Sequence, residues 1–228
     1  MTKVLMVLSS AAATLTGKEA GWYLPEAAQP YYSFIHAGFH VDFASPEGRD
    51  PPVSQKSVEH YKDDESVKFL QDQDVVDKLE KCKKISEVNS SEYDAIFYVG
   101  GYGPVVDLAD DLQNADLVSA FWQGGKIVSA VCHGPAGLIH GKDSNGKSIF
   151  EGKKVTCLSN AEEKEHGFPL KDIGFYLEDK IEELGGKFEK AKGLLECHVV
   201  VDGQLYTGQN PASAKPLADR IVQDLKQQ

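Results

Sequence analysis

The chain has 228 residues, of which 41% are hydrophobic and 26% are charged, and this length suits a single α/β domain over residues 1–228. Its formal net charge of −11 argues against nucleic acid or an anionic membrane as a partner, because both require a basic surface. No apolar run reaches the roughly 18 residues of a membrane-spanning helix.

The cysteines indicate a reducing compartment. Cys82, Cys132, Cys157 and Cys197 are scattered without CxxC spacing, which predicts neither a zinc site nor a disulfide framework. The apolar run at residues 4–8 is shorter than the roughly 7–15 residues of a secretory signal core, so we interpret it as a buried strand. We therefore expect a cytoplasmic protein without a metal, with the nucleus as an open alternative.

Short apolar runs and helical periodicities alternate along the chain, which is typical of α/β proteins with a parallel sheet. Strands are predicted at residues 3–8, 40–44, 93–99, 127–131 and 153–158, with a hairpin at 199–207 around an Asp-Gly turn. Helices are predicted at residues 25–37, 72–83, 107–123, 175–184 and 211–226, the last capped by Asn210.

Two loops are informative. Residues 46–66 are polar and proline-rich, and they predict a long surface loop. The loop after the first strand, residues 9–21, contains no GxGxxG, and the chain contains no GxxxxGK[ST]. The sequence thus supports neither a dinucleotide site nor a phosphate loop, and we expect no cofactor.

The most informative stretch is the strand at residues 127–131 with the turn that follows it. Gly134 and Pro135 place Cys132 at a sharp strand–turn–helix corner, like the nucleophile elbow of α/β hydrolases. The first N–H groups of the following helix would face the sulfur and favour the thiolate. His133 offers an adjacent base. The alternative interpretation is a buried structural cysteine at a strand end.

The segment Ala130-Val-Cys-His-Gly-Pro135 resembles the nucleophile motif of the ThiJ/PfpI superfamily, the parkinsonism-associated deglycases. Within it, the chain resembles the heat-shock branch of glutathione-independent glyoxalases (glyoxalase III), which also act as holding chaperones. The resemblance covers nearly the whole chain. It implies a flavodoxin-like three-layer sandwich with a mostly parallel central sheet and the nucleophile elbow at the carboxyl ends of the strands.

Two further matches lie before the cysteine. Glu26 falls in an early helix whose glutamate, in this family, hydrogen-bonds the nucleophilic cysteine; the alternative is a glutamate that only complements the helix dipole. Gly100 and Gly101 match the family's oxyanion hole, and the alternative is a plain turn. Tyr102 departs from the heat-shock members, which usually carry histidine there, and would lie near the mouth of the pocket.

The third match is Ser159-Asn-Ala-Glu-Glu163, after a predicted strand. The family uses a carboxylate here to orient the histidine beside the cysteine. The resemblance assigns this role to Glu163, with Glu162 as the close alternative. The other interpretation is that both glutamates merely occupy a helix start capped by Ser159 or Asn160.

The resemblance implies a lyase that converts methylglyoxal and similar 2-oxoaldehydes to lactate, of the type called D-lactate dehydratase, in the stress response. Cys132 would add to the aldehyde, and His133 or Glu26 would move the carbon-bound proton. A homodimer and unfolded client proteins are implied as partners. The alternatives are a cysteine peptidase or amidase, a protein deglycase, a non-enzymatic chaperone, and a redox sensor that uses Cys132 as a peroxide-sensitive thiolate.

Overall fold

The computed structural model describes residues 1–166 and 169–227. The strands are β1 (Lys3–Val7), β2 (His40–Ser45), β3 (Lys83–Lys84), β4 (Ala95–Tyr98), β5 (Ile127–Val131), β6 (Lys154–Val155), β7 (Lys187–Phe188), β8 (Val199–Asp202) and β9 (Leu205–Gly208). The α-helices are α1 (Leu24–His36), α2 (Gln55–His60), α3 (Asp64–Gln71), α4 (Gln73–Glu80), α5 (Gly103–Val106), α6 (Leu112–Gln123), α7 (Asn160–His166), α8 (Leu170–Ile173), α9 (Leu177–Glu183) and α10 (Ala214–Leu225). Short 3₁₀ helices lie at Ile85–Glu87, Ser90–Glu92, Gly134–Leu138 and Pro211–Ser213.

A seven-stranded sheet, in the order β3-β2-β1-β4-β5-β9-β8, forms the centre of the described chain. Its neighbouring strands are parallel except for β8 and β9, which form the antiparallel hairpin predicted around Asp202 and Gly203. Parallel neighbours require crossover connections, and the helices supply them. The predicted α/β sandwich with a mostly parallel sheet is confirmed.

Both faces of the sheet are buried, as its apolar strands predict. In β1, Val4 and Met6 face one core, and Leu5 and Val7 face the other, because successive strand residues point to opposite sides. The first core includes apolar residues of α1, α3 and α10, and the second includes apolar residues of α6 and α9. The sheet is therefore the middle of three layers.

The parallel strands bring their carboxyl ends to one edge of the sheet. Tyr98 at the end of β4 pairs with Ala130 of β5, and Val131 pairs with Gly208 of β9. The residues that follow these three strands therefore lie side by side. This edge is where open α/β sheets bind ligands.

The early helix is found where it is predicted. α1 (Leu24–His36) has Pro25 in its first turn and continues through Pro30 without a break. A proline in the first turn removes only an N–H that has no helical partner. The first turn also carries Glu26, which is buried. α1 thus brings a carboxyl group into the protein interior.

The prediction of a long loop at residues 46–66 is wrong. This stretch contains α2 (Gln55–His60) and the start of α3 (Asp64–Gln71). Side chains of Ser54 and Asp63 accept hydrogen bonds from backbone N–H groups of the first turns, so they act as N-caps. The two capping residues predict helix starts here, but the proline-rich composition led to the prediction of a loop.

Three further expectations need correction. The predicted strand at 153–158 is reduced to β6 (Lys154–Val155), which pairs with β7 in a separate two-stranded sheet. The predicted helix at 107–123 begins instead at Leu112, because the side chain of Asp111 caps it. Asn210 makes no side-chain cap; its amide donates to the Glu162 carboxylate. None of the helices in the described chain is both long and apolar enough to cross a membrane.

Candidate active site

Cys132 lies directly after β5 in a strained backbone conformation. Its φ is +60°, a left-handed value that is uncommon for a side chain other than glycine. Its N–H donates to the Gly208 carbonyl (2.9 Å), and its carbonyl accepts from the Leu158 N–H (3.0 Å). These bonds hold the corner from both sides. Such over-determined strain is typical of functional sites, and the corner has the form of a nucleophile elbow.

The surroundings of the Cys132 sulfur differ from expectation. The corner leads into a short 3₁₀ helix, Gly134–Leu138, instead of an α-helix. Burial raises the pKa of the Cys132 thiol well above its usual value, and the neighbouring Glu26 and Glu163 carboxyls add to this increase. The Gly101 N–H donates toward the sulfur and opposes the shift. The sulfur therefore faces the Gly101 N–H, and not the N-terminus of an α-helix as the sequence predicted.

His133 links Cys132 to Glu163. Its Nδ1 lies 3.7 Å from Cys132 Sγ, and its Nε2 is hydrogen-bonded to Oε1 of Glu163. Both side chains of the His133–Glu163 pair are almost completely buried. Because an ionised carboxylate only accepts, Nε2 carries the proton and Nδ1 is left to accept one from the thiol. This is the geometry of a nucleophile, a base and a group that orients the base.

Tyr102 covers the His133–Glu163 pair. Its hydroxyl donates to Oε2 of Glu163 at 3.3 Å, and its ring centroid lies 4.5 Å from that of His133. Burial raises the pKa of Tyr102 well above its usual value, so the hydroxyl stays protonated and acts as a donor. Tyr102 therefore contacts both members of the pair and also lines the pocket.

Glu162, the alternative partner for His133, has a different environment. Its N–H donates to Oγ of Ser159 (3.2 Å), and its Oε2 accepts from the Ser159 N–H (2.9 Å). This reciprocal pair is a capping box at the start of α7. Both sequence interpretations of this segment therefore apply, each to one glutamate: Glu162 caps the helix, and Glu163 contacts the histidine.

Glu26 lies beside Cys132. Within the described chain, neither of its carboxyl oxygens makes a hydrogen bond of good geometry, and the side chain is fully buried. Burial raises its pKa to about 8, and the nearby Cys132 thiol and Gly100 N–H offset this only in part. Two adjacent buried acids cannot both be charged, so Glu26 and Cys132 hold at least one proton between them at neutral pH.

Gly100 and Gly101 follow β4 and allow the chain to pass close to the sulfur. A Cβ at Gly100 would meet the Val131 carbonyl oxygen at 2.7 Å and Cβ of Cys132 at 2.8 Å. Gly101 has a φ of +96°, and a Cβ there would meet the Tyr23 nitrogen at 2.9 Å. Any side chain at these positions would push this loop away. The Gly101 N–H is placed to stabilise negative charge that develops beside Cys132.

Four of the residues described above, Gly101, Tyr102, Cys132 and His133, line a cavity of about 180 Å³, smaller than the roughly 300–1,000 Å³ of pockets for drug-sized ligands. The cavity therefore suits a small substrate. Within the described chain, no group of three His, Cys, Asp or Glu residues is arranged to hold a metal ion. The lining residues are Glu19, Ala20, Tyr23, Ser54, Lys56, Tyr61, Gly101, Tyr102, Cys132, His133, Leu158, Leu195, Pro211 and Ala212.

Several lining residues were missed by sequence reasoning. Tyr61 falls in the stretch predicted as a surface loop, yet its ring packs edge-on against Tyr23 with centroids 5.6 Å apart. The serine cap at Ser54 was the available signal for its position, since it fixes the helix that precedes Tyr61. No sequence pattern around Leu195 predicts its place in the cavity wall, because the folded course of its loop brings it there.

The chain is similar to known proteins over nearly its whole length. Residues 20–224 match the sequence profile of the DJ-1/PfpI family. The chain belongs to this family. It is 34% identical over 238 residues to "Glutathione-independent glyoxalase HSP31" of Saccharomyces cerevisiae, with 98% of both chains covered.

Solved structures of the family are similar over the full length. The Rapid Encystment Protein 24 KDa of Francisella tularensis superposes with a TM-score of 0.92 at 34% identity, with 99% of both chains covered. Glyoxalase III of Candida albicans superposes with a TM-score of 0.87 at 26% identity, covering 97% of this chain and 96% of that one. The resemblance indicated by the nucleophile motif is confirmed.

Proposed function

We propose that this protein is a glutathione-independent glyoxalase that converts methylglyoxal and similar 2-oxoaldehydes to the corresponding 2-hydroxy acids. The observation that carries the proposal is the proximity of Cys132 to two acid–base systems, Glu26 and the His133–Glu163 pair. The small cavity and the names of the similar proteins support the same substrate class.

The first step is addition of Cys132 to the aldehyde carbon. The shared proton resides on Glu26 when the sulfur attacks as a thiolate. A carbon–sulfur bond forms, and the aldehyde oxygen becomes negative beside the Gly101 N–H. Glu26 gives its proton to this oxygen, and the product is a hemithioacetal. A pKa of about 8 suits Glu26 for this role, because it can both give and take a proton near neutral pH.

The second step moves a hydrogen from one carbon to its neighbour. Glu26, now ionised, removes the proton on the former aldehyde carbon and leaves an enediolate. It returns the proton to the former ketone carbon, while the hydroxyl proton passes between the two oxygens. The result is a 2-hydroxyacyl thioester on Cys132. The oxidation of one carbon balances the reduction of the other, so the step needs no external oxidant or reductant.

The third step is hydrolysis of the thioester. His133 takes a proton from water through Nδ1, the nitrogen that faces the sulfur. Glu163 stabilises the imidazolium that forms, since it accepts from Nε2. Hydroxide adds to the acyl carbon, the carbon–sulfur bond breaks, and His133 returns its proton to the departing sulfur, which restores the proton shared by Cys132 and Glu26. The 2-hydroxy acid then leaves. Over the whole cycle one water is consumed.

The test is lactate formation from methylglyoxal without glutathione. Cys132→Ala should abolish turnover, and Glu163→Gln should lower kcat by about 10² or more, because it removes the charge that supports His133. Cys197→Ala is the matched control, since this cysteine is exposed and does not line the cavity; it should keep full activity. Absence of lactate from the unmodified protein, or activity that survives Cys132→Ala, would overturn the proposal.

The same cavity argues against a peptidase, because 180 Å³ leaves little space for a polypeptide substrate. A homodimer, a chaperone activity toward unfolded clients and a cytoplasmic location stay predictions from the sequence. Sedimentation of the purified protein and an aggregation assay with Cys132→Ala are the direct tests of the first two. A chaperone function independent of the enzyme would survive this substitution.

A further inference from the structure

One wall of the cavity is a loop, residues 191–196, which we name the wall loop. Its residue at the cavity is Leu195, an apolar side chain that is 46% exposed. The backbone of Leu195 has a φ of +60°, which is uncommon for a leucine. A strained backbone persists only where neighbouring groups hold it.

Three hydrogen bonds between its backbone and buried side chains hold the wall loop. The Leu195 N–H donates to Oε1 of Glu162 (3.1 Å), and the Ala191 N–H donates to Oε1 of Gln209 (2.8 Å). The amide of Asn210 donates to the Glu196 carbonyl (2.8 Å). These contacts fix the loop at its start and at its end.

Glu162 is the centre of this anchor. Its carboxylate also accepts from the amides of Gln209 (2.8 Å) and Asn210 (2.9 Å), and all three side chains are almost completely buried. Burial opposes its ionisation, but hydrogen bonds from Asn210, Ser159 and Gln209 outweigh this and hold the pKa of Glu162 below its usual value. The carboxylate is therefore charged at neutral pH and keeps its five donors.

We propose that Leu195 limits the size of the group that the cavity accepts beside Cys132, and that Glu162 is the positioning residue that holds Leu195 there. The substrate class in question, 2-oxoaldehydes with an apolar substituent, rests on the proposed function. The size limit does not depend on that function, because it applies to any reagent that approaches the Cys132 sulfur.

The first experiment compares phenylglyoxal with methylglyoxal, which share the reacting group and differ in bulk. In Leu195→Ala, the ratio of kcat/KM for phenylglyoxal to that for methylglyoxal should rise about tenfold, within the range that one side-chain contact gives in an apolar pocket. Leu194→Ala is the matched control, because Leu194 is 49% exposed and does not line the cavity. A ratio that stays constant or falls in Leu195→Ala would overturn the proposal.

The second experiment does not depend on turnover. Alkylation of Cys132 by N-phenylmaleimide and by iodoacetamide is followed on the Cys132 peptide by mass spectrometry. The ratio of the two rates should rise in Leu195→Ala and stay constant in Leu194→Ala. If this happens while no lactate forms, the size limit stands and the glyoxalase proposal fails. If lactate forms while the alkylation and substrate ratios stay unchanged, the glyoxalase proposal stands and the size limit fails.

The role of Glu162 is tested with a double-mutant cycle. Glu162→Gln should raise the same rate ratio as Leu195→Ala, because one of its two oxygens becomes an amide that cannot accept. The variant with both substitutions should show no larger ratio than either alone, since Glu162 acts through Leu195. Multiplicative effects would show that Glu162 does not act through Leu195. The Leu195 measurements remain decisive if Glu162→Gln does not fold.

Discussion

Glu26 and Glu162 are both fully buried carboxyl groups, and each lies next to a residue that lines the pocket, Cys132 or Leu195, but their hydrogen-bonding environments differ. Glu26 lies beside a thiol and has no hydrogen bond of good geometry within the described chain. Glu162 accepts five hydrogen bonds from two backbone N–H groups, a hydroxyl and two amides. The pKa of Glu26 is raised to about 8, whereas that of Glu162 is lowered.

Burial alone therefore does not decide whether a carboxyl is charged. The donors aimed at it matter as well, because each donor stabilises the ionised form and burial destabilises it. A carboxyl without donors can exchange a proton near neutral pH and serve in catalysis. A carboxylate with many donors keeps its charge and holds structure. Substitutions of Glu26 and Glu162 should therefore have different effects on stability and on activity.

The largest effect is expected at Glu162. Glu162→Ala leaves five buried or half-buried donors without their acceptor and should lower the free energy of unfolding by roughly 5 kcal/mol. This is comparable with the whole stability of many domains. Glu165→Ala in the same helix is the control, because Glu165 is exposed, and it should change stability by less than about 0.5 kcal/mol. Urea unfolding at pH 7 measures both; equal effects would contradict the anchoring role.

The second prediction concerns the pH dependence of stability. The pKa of Glu26 is about 8 in the folded protein and 4.5 for an ordinary glutamate, so between these values the folded state binds more protons than the unfolded state. The free energy of unfolding therefore falls as pH rises through this window. Glu26→Gln cannot ionise and escapes this loss. Its stability relative to the unmodified protein should increase by roughly 3 kcal/mol between pH 5 and pH 8.

Urea unfolding at pH 5, 6.5 and 8 checks this prediction. The difference should grow steadily with pH and level off above pH 8, while Glu26→Gln abolishes lactate formation. Parallel stability profiles for the two proteins would mean that Glu26 is ionised in the folded state, as Glu162 is. Both buried carboxyl groups would then be ionised at neutral pH.

The smallest effect is expected at Tyr102. Its hydroxyl donates to Glu163 across a long 3.3 Å bond, and removing such a bond changes a free energy by about 1 kcal/mol or less. Tyr102→Phe should therefore lower kcat two- to fivefold, far less than Glu163→Gln. Steady-state kinetics at pH 7 measures it. A loss as large as that of Glu163→Gln would place Tyr102 among the groups essential for the reaction.

The sequence predicted most of the central sheet, because its strands are short apolar runs that need no tertiary information to recognise. The prediction was wrong where side-chain caps begin helices in a stretch whose composition is typical of a loop. Residues 46–66 are polar and rich in proline, yet Ser54 and Asp63 each begin a helix with a side-chain cap. The prediction was also wrong at residues 153–158, where the strand comprises only Lys154–Val155.

The candidate site was predicted in part for the same reasons. Cys132 and His133 lie in one local motif, so their proximity follows from covalent connection. Glu162 and Glu163 are adjacent and equally acidic, and only the folded helix shows which one contacts His133. The Leu195 N–H donates a hydrogen bond to Glu162, more than thirty residues away in sequence, and no local pattern encodes that contact.

The strand order has a consequence for the growing chain on the ribosome. Strand β9 pairs with β5, and the partners that Glu162 needs, Gln209 and Asn210, follow it in sequence. They are separated from Glu162 by 47 and 48 positions, which is roughly 2–10 s of translation at 5–20 residues per second. During that interval Cys132 and Glu26 have already been synthesised while the anchor of the wall loop is incomplete. Cys132 is thus synthesised first, and both the carbonyl that holds its corner, that of Gly208, and the anchor of the wall loop are completed later.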